Sequence, residues 1–281
     1  MKQANIISRT EPPRAKKRLG RLFWLAVAVC VAFGCAPLQR RLIYFPPRFN
    51  AAKADAMGHA ANLERWTNSV GASIGWKRLT PERPARGRIL LCYGNGSSAI
   101  GCAPYANAIQ SVAAFDVFLL EYPGYGDRRG SPSEKSLFQS ADEGLPLLGT
   151  NLPVYLVGES LGTGVASYLA GTYPERVAGV ILLSPFNSLT DVGQHHAPIL
   201  PVHLLLVDRF PSEDYLRRYH GPVGFMLDGK DRVVPEKFGM RLYDSYGGPK
   251  RVWEFPRGGH VVIPEPREKF WREVVEFWQS H

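Results

Sequence analysis

Residues 156–164 read LVGESLGTG. An apolar run ends at Gly158, Ser160 follows two positions on, Gly162 two beyond that, and small residues continue the chain. The spacing Gly158-x-Ser160-x-Gly162 predicts a sharp turn from a strand over 153–158 into a helix starting at 161. In such a turn the serine oxygen projects away from the sheet and the flanking backbone is crowded. Glycines two before and two after relieve that crowding. The first N–H groups of a helix have no intrahelical acceptor. That of Leu161 would therefore lie beside the serine and could hold an oxyanion. A five-residue pattern also arises by chance, and its weight comes from the strand before it and the helix after it.

Outward from this turn the chain alternates two patterns. RILLCYG (88–94), VFLLEYPG (117–124), PVYLVG (153–158), AGVILLS (178–184), PVGFML (222–227) and RVWEF (251–255) are short apolar runs without alternation. Such runs predict strands buried on both faces, hence a parallel sheet. The stretches 98–114, 133–149, 161–174, 236–246 and 265–279 are long enough for crossover helices. In the last of these, Phe270, Val274, Phe277 and Trp278 recur at helical spacing. Residues 63–80 read as a hairpin turning at Val70-Gly71-Ala72, and LQRRLIYFPP (38–47) begins as a short strand-like run. The order is that of an α/β fold: a mostly parallel sheet of about eight strands with helices on both faces. Residues 186–217 exceed what one crossover needs and predict a lid over the carboxyl edge of the sheet.

A serine nucleophile on such a turn needs an acid and a histidine later in the chain, in that order. Asp231, in LDGKDRVVP (227–235), falls in the loop after the strand 222–227. Asp228 ends that strand, and the turn through Gly229 favours Asp231 as the acid. Of seven histidines, only His260 lies both after the acid and in a strand-to-helix loop. His195 and His196 fall in the lid, where packing and substrate contact are both open to them. The glycine-rich YGNGSSAIG (93–101) follows the first parallel strand, so the N–H of Asn95, or of the neighbouring Gly96, is placed as a second oxyanion donor with Leu161. The same loop lacks the lysine and spacing of a phosphate-binding loop and the pattern of a dinucleotide site. No metal-ligand spacing occurs, and the chemistry so read requires no cofactor.

These segments resemble the α/β-hydrolase superfamily from about Ile43 onward. More narrowly, LIYFP (42–46), YGNG (93–96), LLEYPGYGDRRGSPSE (119–134), GESLGTGVA (158–166) and LLSPFNSLTDV (182–192) resemble its membrane-associated α/β-hydrolase-domain branch. That branch usually has His-Gly-Asn where this chain has Tyr93-Gly94-Asn95. It often has His-Gly before the acid loop, where Leu227-Asp228-Gly229 here adds a second carboxylate. The resemblance implies a serine hydrolase of esters, thioesters or amides, with lipid-like acyl substrates frequent among relatives. The alternatives are a peptidase or amidase on the same fold, or a non-catalytic binding protein. A peptidase would want acids to hold a peptide amino end. Glu213 and Asp214 form a pair, but SEDY reads as a helix start capped by Ser212.

The amino-terminal 38 residues stand apart from the domain at 39–281. Lys2, Arg9, Arg14, Lys16, Lys17, Arg18 and Arg21 against Glu11 place +6 of the formal +9 in the first 21 residues. The remaining 260 residues carry only +3, which argues against a nucleic-acid face. Leu22–Leu38, LFWLAVAVCVAFGCAPL, is uncharged over 17 residues. A basic flank before an apolar core predicts export or anchoring, with the flank cytoplasmic and the domain outside the cytoplasm. A cleaved signal, a spanning anchor and a lipoprotein all fit. Gly34-Cys35 matches the end of a lipobox, whereas Phe33 and Ala32 depart from one, and 17 residues is short for a span. Cys92 and Cys102 are the only cysteines of the domain; Cys92 reads as a buried apolar residue, with pairing open in an oxidising compartment.

Overall fold

The computed structural model describes residues 36–81, 84–261, 263 and 267–281. The apolar stretch 22–35, with Cys30 and Cys35 and the basic flank before it, lies outside the described residues. Among the described residues no helix is long and apolar enough to cross a membrane.

The strands are β1 (Glu64–Thr67), β2 (Ser73–Arg78), β3 (Gly87–Cys92), β4 (Phe115–Leu120), β5 (Val154–Glu159), β6 (Val177–Leu183), β7 (Val223–Asp228) and β8 (Lys250–Phe255). They form one eight-stranded sheet in the order β1-β2-β4-β3-β5-β6-β7-β8. β2 runs antiparallel to both β1 and β4, and every other pairing is parallel. The apolar runs read from the sequence are the inner strands; all six residues of β4 and of β7 are buried. β8, at the edge, buries only Trp253 and leaves Arg251 and Glu254 exposed, as an edge strand less covered than the inner ones.

Helices Ala103–Gln110, Glu134–Leu147, Leu161–Thr172, Glu236–Ser245 and Arg267–Gln279 occupy the five predicted crossover stretches. The last turns Trp271 and Trp278 onto the sheet, where Trp278 stacks on Tyr155 at 4.7 Å and donates to the Val180 carbonyl at 3.2 Å. Helix Glu134–Leu147 opens on a reciprocal cap between Ser133 and Ser136.

Two local expectations are corrected. The strand-like run at 38–47 is instead a helix, Ala36–Ile43, with Gln39 buried. Sequence alternation there failed because the partners that bury Gln39 and hold Arg40 come from about 168 positions away. Ser212 does not cap its helix: it is the first helical residue of Ser212–Leu216, after Pro211. Its hydroxyl is buried and has no hydrogen-bond partner among the described residues. Helix Ala51–Ala60 has no apolar periodicity; it is fixed by the Asn50 cap and by Gly58, which lets the Trp76 ring lie against the backbone.

Between β6 and β7 the chain runs through helices Leu189–His196, Val202–Leu205 and Ser212–Leu216. The last third of this segment packs into the body. Phe210 lies on Gly164, and the Tyr215 backbone lies so close to Gly171 that a Cβ there would fall 2.1 Å from the Tyr215 carbonyl oxygen. Within the stretch from Leu189 to Leu206, His196 reaches the loop after β7, its Nε2 2.9 Å from the Val233 carbonyl oxygen. Cys92 and Cys102 are both buried and both free thiols.

Under the loop after β3 lies a charge that sequence periodicity cannot reveal. Glu121, the residue after β4, is 1% exposed. Its Oε1 accepts from the Tyr93 hydroxyl and from the Ala99 N–H at 3.2 Å, so it pins both ends of the segment 93–99. Its Oε2 has no hydrogen-bond partner among the described residues. Burial pushes this carboxyl up to about 7, outweighing the Tyr93 and Ala99 donors that favour its charged form. A carboxyl raised in this way binds its proton more tightly in the folded chain. Its contribution is complete below the usual glutamate value near 4.5 and is lost as pH rises through about 7. Glu121→Gln keeps the acceptor and removes the titration. Between pH 5 and 8 wild-type stability should fall relative to this variant by up to about 3 kcal/mol. Urea melts at several pH values measure the difference, and parallel curves would contradict the assignment.

Candidate active site

Each element that ends at the carboxyl edge contributes one part of the site. Ser160 leaves β5 with φ 48° and ψ −115°, a left-handed backbone uncommon for a residue bearing a Cβ. Its N–H donates to the Leu183 carbonyl at 2.8 Å, and its carbonyl accepts from the Thr163 N–H at 2.9 Å and the Thr163 hydroxyl at 2.6 Å. These bonds hold a conformation that costs roughly 1–3 kcal/mol. The flanking glycines are required by contact as the sequence implied. A Cβ on Gly158 would lie 2.8 Å from the Thr163 Cα, and one on Gly162 would lie 2.0 Å from the Cys92 carbonyl oxygen.

His260 Nε2 is 2.9 Å from Ser160 Oγ, and His260 Nδ1 is 2.6 Å from Asp231 Oδ2. The three residues reach one point from the loops after β5, β7 and β8, in the chain order Ser, Asp, His. Asp231 Oδ1 accepts from the N–H groups of Val233 and Val234, both at 2.8 Å. Burial by itself would raise the Asp231 carboxyl. The bond to His260 and the two N–H donors overcome that and hold it below the usual aspartate value. The carboxylate is thus ionised when it faces the imidazole.

Asp228 is 1% exposed and does not reach His260. Its Oδ2 accepts from the Ser184 hydroxyl at 2.9 Å, and Ser184 Oγ in turn accepts from the Val261 N–H at 3.1 Å. Val261, next to His260, has φ 55°, and Ser184 has φ 48°. A Cβ on Gly258 would lie 2.1 Å from Asp228 Oδ1. Asp228 therefore sits directly beneath the histidine loop and clamps it through Ser184. Neither Ser184 nor the clamp was found from the sequence. The second carboxylate in LDGKD was the available signal, but its partner lies 44 positions away.

The loop after β3 lies against the turn at Ser160: a Cβ on Gly94 would fall 3.2 Å from the Ser160 Cβ and 2.7 Å from Glu159 Oε1. Asn95 is held sideways. Its Oδ1 accepts from the Phe45 N–H at 2.9 Å and the Tyr125 hydroxyl at 2.8 Å, and its Nδ2 donates to the Ile43 carbonyl. Among the described residues neither the Asn95 N–H nor the Leu161 N–H has an acceptor. Tyr93 fills the space beneath the loop, packed on Tyr122 and Tyr125 at 4.3 and 5.8 Å. Glu159 is raised by burial, against the Tyr105 hydroxyl, His260 and the Gly94 N–H.

The remaining sequence candidates lie elsewhere. His196 Nε2 is 2.9 Å from the Val233 carbonyl oxygen, beside the acid loop, and His195 Nδ1 is 3.1 Å from Lys237 Nζ. Glu213 pairs with Arg217 and Arg241, and Asp214 with Arg217.

Residues 87–214 match the family model described as the alpha/beta hydrolase fold. An uncharacterized protein of Mycobacterium tuberculosis strain H37Rv is 34% identical over 254 residues, covering 87% of this chain and 89% of its own. The lysophosphatidylserine lipase ABHD12 of Danio rerio is 30% identical over 230 residues, covering 73% of this chain and 57% of its own. Among solved structures, the Pyrococcus furiosus esterase Pf2001 superposes with a TM-score of 0.62 at 16% identity, over 85% of this chain and 97% of that one. A Paleococcus ferrophilus monoacylglycerol lipase superposes with a TM-score of 0.56 at 22% identity, over 78% and 99%. At these identities the two structures speak to the fold alone. The mycobacterial and ABHD12 relatives, the family model and the eight-stranded sheet agree: the chain belongs to the α/β-hydrolase superfamily, in the branch of α/β-hydrolase-domain proteins.

Proposed function

We propose that the chain is a serine hydrolase that cleaves carboxylic esters or thioesters of lipid-like acyl groups through an acyl-enzyme. The observation that carries this reading is one imidazole bridging Ser160 Oγ at 2.9 Å and an ionised Asp231 at 2.6 Å. In the reaction His260 Nε2 takes the Ser160 proton as Oγ attacks the acyl carbon. Asp231 orients the ring through Nδ1 and stabilises its charged form. The N–H groups of Leu161 and Asn95 receive the tetrahedral oxyanion, each worth roughly 10²–10³-fold in rate. The leaving group departs with the His260 proton. Water then enters, gives its proton to His260 as its oxygen attacks the acyl carbon, and His260 passes that proton to Ser160 Oγ as the acid is released. The reaction so read uses no metal or cofactor.

The acyl preference is supported by the lipase name of the ABHD12 relative. In this reading residues 39–281 are the hydrolase domain, its lid falls within 186–217, and 1–38 anchors it to a membrane with the domain outside the cytoplasm. A relative in Saccharomyces cerevisiae, 33% identical over 57% of this chain, is described as a membrane protein. No observation favours a peptidase, since Glu213 and Asp214 are engaged by Arg217 and Arg241.

Ser160→Ala should abolish labelling by a fluorophosphonate probe while leaving the melting temperature within a few degrees. Full-strength labelling of that variant would refute Ser160 as nucleophile. The two carboxylates should separate in ester hydrolysis. Asp231→Asn is expected to lower kcat roughly 10³–10⁴-fold. Asp228→Asn, which alters the bond to Ser184 beneath the histidine loop, should lower it about tenfold. The reverse order of losses would transfer the role to Asp228.

A further inference from the structure

The helix Ala36–Ile43 and the stretch from Leu189 to Val207 are bolted together by buried polar contacts. Arg40 makes a two-point pair with Asp208, Nε to Oδ2 at 2.9 Å and Nη2 to Oδ1 at 3.1 Å, and the Tyr44 hydroxyl donates to the same carboxylate at 3.1 Å. Gln39 donates to the Leu205 carbonyl at 2.8 Å and accepts from the Val207 N–H at 3.0 Å. Asp208 and Gln39 are 3% and 5% exposed. The polar groups of this joint are thus spent inward.

What the joint presents outward is apolar. A groove of about 280 Å³ runs between the two elements, walled chiefly by Leu42, Ile43, Leu200, Val202, Leu205 and Leu206. Of the ten large exposed apolar side chains among the described residues, five belong to these same two stretches and a sixth, Phe45, follows the helix by two positions; Ile199 is 94% and Leu204 80% exposed. Scattered apolar residues need no explanation, but a concentration around an open apolar groove does. Ile43, which lines the groove, also accepts from the Asn95 side chain through its carbonyl, and the Phe45 N–H donates to the same side chain.

Two facts say what covers this face. The described chain begins at Ala36, in the helix that forms one wall, and the sequence immediately before it is the uncharged apolar stretch from Leu22. A membrane held by that stretch would lie next to the groove. Charge agrees. Over 36–50 and 193–210 the only acid is Asp208, already paired with Arg40, while Arg41, Arg48 and Arg209 are exposed. Apolar side chains rimmed by arginine suit the boundary between acyl chains and anionic headgroups.

We propose that this face docks on a lipid bilayer and that the groove takes one acyl chain of a bilayer lipid, leading its carbonyl toward Ser160. The acyl part of this inference rests on the serine-hydrolase reading above; the docking part does not. The test uses the full chain reconstituted in phosphatidylcholine–phosphatidylglycerol vesicles containing a phosphatidylcholine with a photoactivatable diazirine in its acyl chain. Irradiation and peptide mapping should place cross-links on 38–45 and 199–207. They should be absent around Leu79 and Leu147, which are also exposed but lie at the opposite edge of the sheet, after β2 and before β5. Labelling of 199–207 no greater than at Leu79 and Leu147 overturns the docking. A second arm uses Ile199→Glu with Leu204→Glu, two rim positions outside the groove wall and the triad. Hydrolysis of a vesicle-borne acyl substrate should fall roughly tenfold, with hydrolysis of a soluble short-chain ester unchanged. Equal loss on both substrates, or loss on neither, overturns the delivery of substrate from the bilayer. A chain that cross-links as expected but hydrolyses neither substrate overturns the delivery and the serine-hydrolase reading and leaves the docking standing.

Discussion

The backbone of Ser160 is the constraint from which the site follows. At φ 48° the chain reverses between β5 and the helix Leu161–Thr172 within one residue. That reversal brings the start of the helix against the end of β3, closely enough that Gly162 has no room for a Cβ beside the Cys92 carbonyl. The loop after β3 must then pass over the same point, and Gly94 gives it room beside Ser160. One strained residue thus sets three glycines. The strain is sustained by the Leu183 and Thr163 bonds and by a sheet buried on both sides.

The other half of the site depends on a division of labour between two carboxylates three residues apart. Asp231 faces outward to the imidazole and is kept charged by it and by two N–H groups. Asp228 faces inward and secures the loop that carries the imidazole, through Ser184 and the Val261 N–H. Ser184 and Val261 share with Ser160 a left-handed backbone, so conformational strain is concentrated in the three turns that meet at the site. The loop bearing Asn95 is supported from below by Glu121 and from the side by the segment Ile43–Phe45.

Much of this was legible in the sequence because it is local. Apolar runs without alternation gave the inner strands, and the glycine spacing around Ser160 gave the turn. The Gly229 turn selected Asp231 over Asp228, and position after the last strand selected His260. What was not legible depends on distant partners. The residues 38–47 look strand-like until Arg40 finds Asp208 and Gln39 finds Leu205. Ser212 precedes two acids like a helix cap, yet the helix already includes it, because Pro211 supplies the entry. Glu121 follows an apolar strand as any solvent-facing residue would, and only the Tyr93 and Ala99 contacts from the loop after β3 reveal it as buried.

The central claim is that the turn at Ser160 and the loop at Asn95 form a site for a negatively charged oxygen before any substrate arrives. The crystal structure of the chain phosphonylated at Ser160 tests it most directly, because the adduct carries an oxygen where the tetrahedral intermediate would. The account predicts that oxygen within about 3 Å of both the Leu161 and the Asn95 nitrogen, with the backbone of 93–96 and 160–161 unmoved. An adduct whose oxygen points into solvent, or reaches these N–H groups only after the loop at 93–96 has been rebuilt, would contradict it.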